Sequence, residues 1–196
     1  MELMKSSIDA IIGNIRAAEE YLNEEDIDKF LDIIVSSKNV FLIGAGRSGL
    51  AAKAFAMRLM HLGISSYVVG ETISPAIYED DCIIAISGSG ETNTIVSAAN
   101  IAKNRGSKVL ALTSYPESTL GKLADTVLLV KGRTKVEADD ENYMKRQIHG
   151  NYTSLTPLGT AFELTTLVFL DALVSELMEI MHQTESDLKA RHTVLE

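Results

Sequence analysis

The spacing of hydrophobic residues changes along the chain, and each change predicts a different element. Apolar residues recur every three or four positions over residues 8–15 and again over residues 27–35, which predicts two amphipathic helices. The apolar run at residues 40–43 is bounded by glycine and predicts a buried strand, and residues 48–62 carry a helical pattern. We therefore expect a helical extension over residues 1–38, followed by a β-loop-α unit.

Further apolar runs, each too short for a helix, predict four more strands. They lie at residues 67–69, 82–86, 109–112 and 127–130. A helical pattern over residues 92–103 links two of these runs, and residues 164–181 predict a long C-terminal helix. Strands that are apolar on both faces and alternate with helices are typical of a parallel sheet covered on both sides. The expected fold class is α/β, a single domain over residues 1–196 with a doubly wound, five-stranded parallel sheet.

Residues 131–156 differ from the rest of the chain because they are polar and charged, with few apolar positions. A connection of this length inside a compact domain is usually either disordered or a lid over a site. Both interpretations stay open for this segment.

Composition and charge narrow the classes of function. The chain has 196 residues, 46% of them hydrophobic, which suits one globular domain, and its net charge of −9 argues against a nucleic-acid partner. The lone cysteine, Cys82, cannot close a disulfide within the chain, and residues 1–14 lack the order of a signal peptide, which favours the cytoplasm. The charges of Asp171, Glu176 and Glu179 interrupt the most apolar helix, so we expect no membrane span.

Two predicted helices carry more apolar surface than one buried face needs. Between residues 48 and 62 only Lys53, Arg58 and His61 interrupt the apolar residues, and the helix over residues 164–181 is similar. We expect a homo-oligomer that buries both helices between subunits, the alternative being a deep core within one chain.

A glycine-rich loop at residues 44–49 follows the first predicted strand and has the pattern G-x-G-x-x-G. Glu71 stands 22 residues after Gly49, roughly where a dinucleotide-binding fold places the acid that binds the ribose. The glycines alone require only a tight turn, so this loop by itself leaves the dinucleotide interpretation open.

A second loop, at residues 87–92, also joins a strand to a helix and favours a small phosphate ligand instead. Ser87, Ser89 and Thr92 supply hydroxyl groups beside the backbone N–H groups of a helix N-terminus, where negative charge is stabilised. In a sheet of order 2-1-3-4-5 both loops open onto one crevice, so Arg47 and Ser48 are expected to complete a monophosphate site. The alternative is ordinary turn chemistry, with the hydroxyls capping helices.

Five residues are candidates for proton transfer. Glu163 stands near the start of the last helix among apolar neighbours, where it is either a general base or a charge that favours the helix dipole. Of the four histidines, His149 and His182 are expected to be solvated. His61 and His192 are packing or surface residues, unless they reach a neighbouring crevice in an oligomer. No pair of histidines has metal-ligand spacing, and we expect no metal.

Several segments together resemble one family, the sugar isomerase (SIS) domain, and within it the 6-phospho-3-hexuloisomerases. Both loops match the general SIS pattern. The more selective segments are FAMRLMHLG at residues 55–63, VGET at 69–72, PLGTAFE at 157–163 and RHTVLE at 191–196. The resemblance covers essentially the whole chain. The sequence departs from the family pattern at Leu158, which replaces a methionine usual in the family and is a conservative apolar change.

The resemblance implies an activity and a role for each candidate residue. The second loop is expected to bind the substrate phosphate. Its residues are Ser87, Gly88, Ser89, Gly90, Glu91 and Thr92. Arg47 and Ser48 would close the site and Glu163 would be the base. His192 or His61 of another subunit would be a second proton-transfer group. The implied reaction interconverts D-arabino-hex-3-ulose 6-phosphate and D-fructose 6-phosphate and needs no cofactor. Glu71 then becomes a wall residue.

The resemblance leaves alternatives and partners open. A different SIS isomerase, acting on arabinose 5-phosphate or a phosphoheptose, would carry the same phosphate loops. A sugar-phosphate-binding regulator would too, although residues 1–38 are too short and acidic for a convincing DNA-binding module. The expected partners are a sugar phosphate, further copies of the chain as a dimer or tetramer, and functional pairing with 3-hexulose-6-phosphate synthase.

Overall fold

The computed structural model describes residues 1–132 and 160–194, which form seven helices and five strands. The predicted polar segment lies outside the described residues from residue 133 onward. The strands are β1 Val40–Gly44, β2 Ser66–Val68, β3 Cys82–Ile86, β4 Lys108–Thr113 and β5 Thr126–Leu129. The helices are α1 Glu2–Glu19, α2 Glu24–Ser36, α3 Arg47–His61, α4 Asn93–Asn104, α5 Thr119–Leu123, α6 Thr160–Ile180 and α7 Glu185–Ala190.

The five strands form one parallel sheet in the order β2-β1-β3-β4-β5. All five residues of β3 are buried, as expected for a central strand whose two faces are both covered. The predicted fold class and strand order are confirmed. The short helices α5 and α7 were not anticipated, because their apolar residues are too few to show a helical period.

The core consists of two clusters, one on each face of the sheet. Residues of α2, α3 and α6, such as Phe30, Leu59 and Phe169, pack against one face. Residues of α4 and α5, such as Ile95 and Leu120, pack against the other. Because helices cover both faces, the sheet edge at the carboxyl ends of the strands is left for loops.

Helices α3 and α6 run side by side from that edge. Arg58 Nε, in the last turn of α3, lies 3.2 Å from Oδ1 of Asp171, near the middle of α6. The N-terminus of α6 is fixed beside the end of β5, because a Cβ on Gly132 would lie 2.6 Å from Phe162 N. The first turn of α6 therefore reaches the carboxyl edge of the sheet.

In the part of the chain that the structure describes, no helix is long and apolar enough to cross a membrane.

Candidate active site

The two predicted loops open onto one edge of the sheet. Strands β1 and β3 are direct neighbours, and their last residues, Gly44 and Ile86, are paired in register. The first loop (residues 44–49) and the second loop (residues 87–92) therefore leave the sheet side by side. This is the topological switch point, the usual ligand crevice of a doubly wound fold.

The glycines of the first loop are explained by close packing of the backbone. A Cβ on Gly44 would lie 2.6 Å from the backbone of Ser48, and a Cβ on Gly49 would lie 2.8 Å from Gly44 O. Gly46, the N-cap of α3, has a φ of +57°, a conformation that other residues rarely adopt. The motif thus lets α3 begin directly against the end of β1, and it requires no dinucleotide.

The hydroxyl groups of the second loop bond to one another and to the loop backbone. Ser87 Oγ lies 3.0 Å from Thr92 Oγ1 and accepts a hydrogen bond of 3.2 Å from Gly90 N. Ser89 Oγ accepts a bond of 3.2 Å from Glu91 N. Three hydroxyl groups thus take part in the bonds that order this six-residue loop.

Thr92 does not act as the helix cap that turn chemistry alone would favour. Thr92 is the N-cap of α4, but within the described residues its side chain makes no capping hydrogen bond, whereas Asn23 caps α2 and Ser118 caps α5. The first turn of α4 thus keeps backbone N–H groups without a side-chain cap, an arrangement that suits an anion.

Glu163 and Arg47 meet at the same edge. Arg47 is the first residue of α3 and Glu163 lies in the first turn of α6, and Arg47 Nε is 3.6 Å from Glu163 Oε2. The Arg47 side chain is 55% exposed and that of Glu163 is 19% exposed. A largely buried carboxylate beside an exposed guanidinium, on the sheet edge that also carries the hydroxyl-rich loop, can bind an anion and move a proton. Ser48, the second residue of α3, is buried.

Glu91, predicted as a substrate ligand, bonds to the protein. Its Oε1 accepts a hydrogen bond of 2.8 Å from Thr119 N, at the start of α5. This bond from the Thr119 backbone lowers the pKa of Glu91. The carboxylate therefore stays ionised at neutral pH.

The structure does not bring His61 or His192 to Glu163 within one chain. The two imidazole rings stack on each other with centroids 5.1 Å apart, beside the C-terminal end of α3. His61 ends α3 and Arg47 begins it, so about 21 Å of helix separates them at 1.5 Å per residue. Burial, His192 and Arg58 together lower the pKa of His61. His182 is exposed, and His149 lies outside the described residues.

Glu71, expected as a wall residue, is paired with a lysine of α3. It follows β2, and its Oε1 lies 2.6 Å from Lys53 Nζ of α3. Among residues 1–132 and 160–194, no group of three His, Cys, Asp or Glu side chains is placed to hold a metal ion.

The sequence analysis missed one part of the site, namely the chain from the last residue of β4 onward. Thr113 and Ser114 both donate hydrogen bonds to Gly88 O of the second loop. The available signal was the cluster of hydroxyl residues Thr113, Ser114, Ser118 and Thr119 directly after a predicted strand.

Comparison with known proteins agrees with this geometry. The family model of the SIS domain matches residues 33–144, more than half of the chain. The chain belongs to the SIS domain family. The match includes β1 to β5 and both loops, so the SIS resemblance drawn from the sequence segments is confirmed.

Similar SIS proteins match along nearly their whole length. A protein from Archaeoglobus fulgidus is 47% identical over 96% of this chain and 98% of its own. The 3-hexulose-6-phosphate isomerase of Bacillus subtilis is 39% identical over 95% of both chains. A crystal structure from Methanococcus jannaschii, from which a function of 3-hexulose-6-phosphate isomerase was inferred, is 34% identical with a TM-score of 0.80, covering 97% of this chain and 99% of that one.

Proposed function

We propose that this protein is a sugar-phosphate isomerase that interconverts D-arabino-hex-3-ulose 6-phosphate and D-fructose 6-phosphate. The observation that carries the proposal is the pairing of Arg47 with Glu163 at 3.6 Å, on the sheet edge that also carries the second loop. The substrate is suggested by the Bacillus subtilis relative, which is named 3-hexulose-6-phosphate isomerase.

The phosphate group is assigned to the second loop. Ser87, Ser89 and Thr92 offer hydroxyl donors, and the backbone N–H groups at the start of α4 add the positive end of the helix dipole. From the first loop, Arg47 and Ser48 contribute a charge and a hydroxyl group. Inorganic phosphate should bind at this edge as well.

The reaction needs one base and a route for a second proton. Glu163 takes the proton from C2, the carbon beside the C3 carbonyl, which gives an enediol, and returns it to C3. The hydroxyl proton on O2 passes to O3 through a second group, His192 or His61 of another subunit. Every atom of the substrate is kept and no oxidant or reductant is consumed.

The phosphate contributes to rate as well as affinity. Because it lies far from the reacting carbons, its binding energy holds C2 and C3 in position against Glu163. A sugar without phosphate should therefore lose turnover as well as affinity.

A coupled assay tests the proposal. The hexulose phosphate is supplied and the formation of fructose 6-phosphate is followed through linked enzymes, with arabinose 5-phosphate and sedoheptulose 7-phosphate assayed in parallel. We expect the highest kcat/KM with the six-carbon substrate. A preference for the five-carbon or seven-carbon sugar would assign a different isomerase, and tight binding without turnover would assign a regulator.

A further inference from the structure

The chain after β4 is bonded to the second loop at several points. Ser114 N donates to Gly88 O at 3.1 Å, and Thr113 Oγ1 donates to the same oxygen at 3.3 Å. Leu120 N donates to Gly90 O at 3.0 Å. Two carbonyl groups of the second loop are thus held by the chain from the last residue of β4 to the first turn of α5, which we call the bracing segment (residues 113–120).

Glu91 adds a side-chain bond from the second loop to the bracing segment. Its Oε1 accepts from Thr119 N at 2.8 Å. Thr119 is the first residue of α5, where a backbone N–H has no partner within the helix and a negative charge is favourable. A carboxylate has no donor to offer a phosphate dianion and repels it, so this position favours a structural partner over the substrate.

Gly90 and Ser118 fit against each other with no room for a side chain between them. Gly90 has a φ of +66°, and a Cβ there would lie 1.9 Å from Ser118 Oγ and 2.5 Å from Ser118 Cβ. Ser118 cannot readily turn away, because its Oγ caps α5 by accepting from Gly121 N at 3.2 Å. The two segments are therefore in close contact directly beside Glu91.

The bracing segment also extends towards the base. Ser114 Oγ donates to Val130 O at 2.6 Å. Two residues further on, Gly132 packs against the backbone of Phe162, the residue before Glu163. The bracing segment thus lies between the phosphate loop on one side and the first turn of α6 on the other.

We propose that Glu91 is a positioning residue, whose carboxylate fastens the second loop to the bracing segment and so sets the phosphate site relative to Glu163 without touching the sugar phosphate. This revises the expectation that Glu91 binds substrate. That the bound molecule is a sugar phosphate rests on the proposed function, whereas the attachment of the second loop to the bracing segment rests on the contacts above.

The test compares three variants. Glu91→Ala removes the bond to Thr119 N, and Glu91→Gln keeps an oxygen that accepts it but removes the charge. Glu117→Ala is the matched control, because Glu117 is an exposed carboxylate of the same segment whose Oε2 lies 4.0 Å from Lys122 Nζ. For each protein we would measure KM and kcat, the inhibition constant of inorganic phosphate, and amide hydrogen exchange of residues 87–92.

We expect Glu91→Ala to raise KM and the inhibition constant of phosphate about tenfold, with a smaller change in kcat, since a loosened loop must be ordered on binding. Its second loop should exchange amide hydrogens faster than that of the wild type. Glu91→Gln should recover most of the affinity, and Glu117→Ala should match the wild type.

Three outcomes would overturn the proposal. They are wild-type phosphate affinity and exchange in Glu91→Ala, tighter phosphate binding in that variant, or equal impairment of Glu91→Gln and Glu91→Ala. A wild-type protein that binds phosphate but isomerises no hexulose phosphate contradicts only the proposed function, because the inhibition or binding of phosphate and the exchange still decide the role of Glu91. A wild-type protein that binds no phosphate overturns both.

Discussion

At the scale of single residues, Glu163 is the group on which the proposed chemistry depends. Its carboxylate is mostly shielded, lies 3.6 Å from the guanidinium of Arg47, and belongs to the first turn of α6. A shielded carboxylate at a ligand crevice can take a proton from carbon and keep it from exchanging with water until it is returned to the neighbouring carbon.

Glu163→Gln keeps the shape of the side chain and removes the base. We expect this variant to bind fructose 6-phosphate nearly as the wild type does, while kcat falls about a thousandfold, within the range for loss of a general base. Calorimetry measures the first quantity and the coupled assay the second. Glu179→Gln, an exposed glutamate of the same helix, is the control, and unchanged isomerisation by Glu163→Gln would remove Glu163 as the base.

His61 gives a second prediction at this scale, on stability against pH. His61 is 5% exposed, stacks on His192 and lies near Arg58, and these three effects lower its pKa when the protein is folded. Since the unfolded chain then takes up the proton more readily, stability is full above the ordinary pKa of about 6.5 and falls as the pH drops below it.

Urea unfolding between about pH 7.5 and pH 5.5 measures this effect. We expect the free energy of unfolding of the wild type to decrease as the pH is lowered, and that of His61→Asn to decrease less steeply. The control is His182→Asn, which changes an exposed histidine and should keep the wild-type slope. The same slope in His61→Asn and the wild type would refute the assignment.

At the scale of elements, the second loop and the start of α4 act as one unit. Ser87 and Thr92 stand at the two ends of the second loop. Because their hydroxyl groups are 3.0 Å apart, both can donate to the oxygens of one phosphate group. Removing both hydroxyl groups leaves the backbone N–H groups of the helix N-terminus in place, and it takes away two donors together with the bond from Gly90 N to Ser87 Oγ.

We expect the double variant Ser87→Ala with Thr92→Ala to weaken binding of fructose 6-phosphate at least tenfold, about 1.4 kcal/mol or more for two lost donors. Calorimetry at fixed ionic strength gives the value. Ser97→Ala, an exposed hydroxyl on α4, should bind as the wild type does. Wild-type affinity in the double variant would contradict a phosphate site in this loop.

The helices and strands also show how much of the fold can be predicted from the sequence. The strands at residues 40–43, 82–86 and 109–112 were predicted within about one residue, because a buried strand in a parallel sheet needs a short continuous apolar run. Both loops and Glu163 were found for a similar reason, since each loop follows one of these strands and Glu163 stands near the start of a strongly apolar helix.

What the sequence did not predict depends on contacts between distant segments. The bracing segment has few apolar residues, and its role arises only when Ser118 meets Gly90 across the sheet edge. The stacking of His61 on His192 joins residues 131 positions apart, and no local pattern reports it. Pairings of this kind become visible only in three dimensions.

At the scale of the whole molecule, one chain leaves apolar side chains of its helices in contact with water. Leu50 is 68% exposed and Met57 is 47% exposed on α3, and Leu3 is 69% exposed on α1. Leu50 and Met57 stand seven residues apart on one face of α3, and an exposed apolar face of this kind marks a surface that another molecule covers. We propose that further copies of this chain cover them, which would also allow the histidine pair of one subunit to reach the crevice of another.

Mixing two inactive variants tests this arrangement. If Glu163 and the histidines of one site come from different subunits, refolding Glu163→Gln together with His192→Ala or His61→Asn should restore about a quarter of the sites, since each site draws its two groups independently. Activity per mass and light scattering of the mixture provide the measurement, and the histidine variant that complements identifies the second group.

The control for mixing is a pair of changes that fall in one crevice of one chain. Glu163→Gln mixed with the double variant Ser87→Ala and Thr92→Ala should restore nothing, because Arg47, Glu163 and the second loop belong to the same chain. No recovery in any histidine mixture would place the whole reaction inside one subunit.

Helix α3 joins the first loop at Arg47 to the histidine pair at His61 without a break. Inserting one residue within it would turn everything beyond by about 100° and shift it by about 1.5 Å, so its two ends would no longer face the same directions. The interval from 47 to 61 is thus closed to insertions and deletions, and only the connections outside it are free to lengthen.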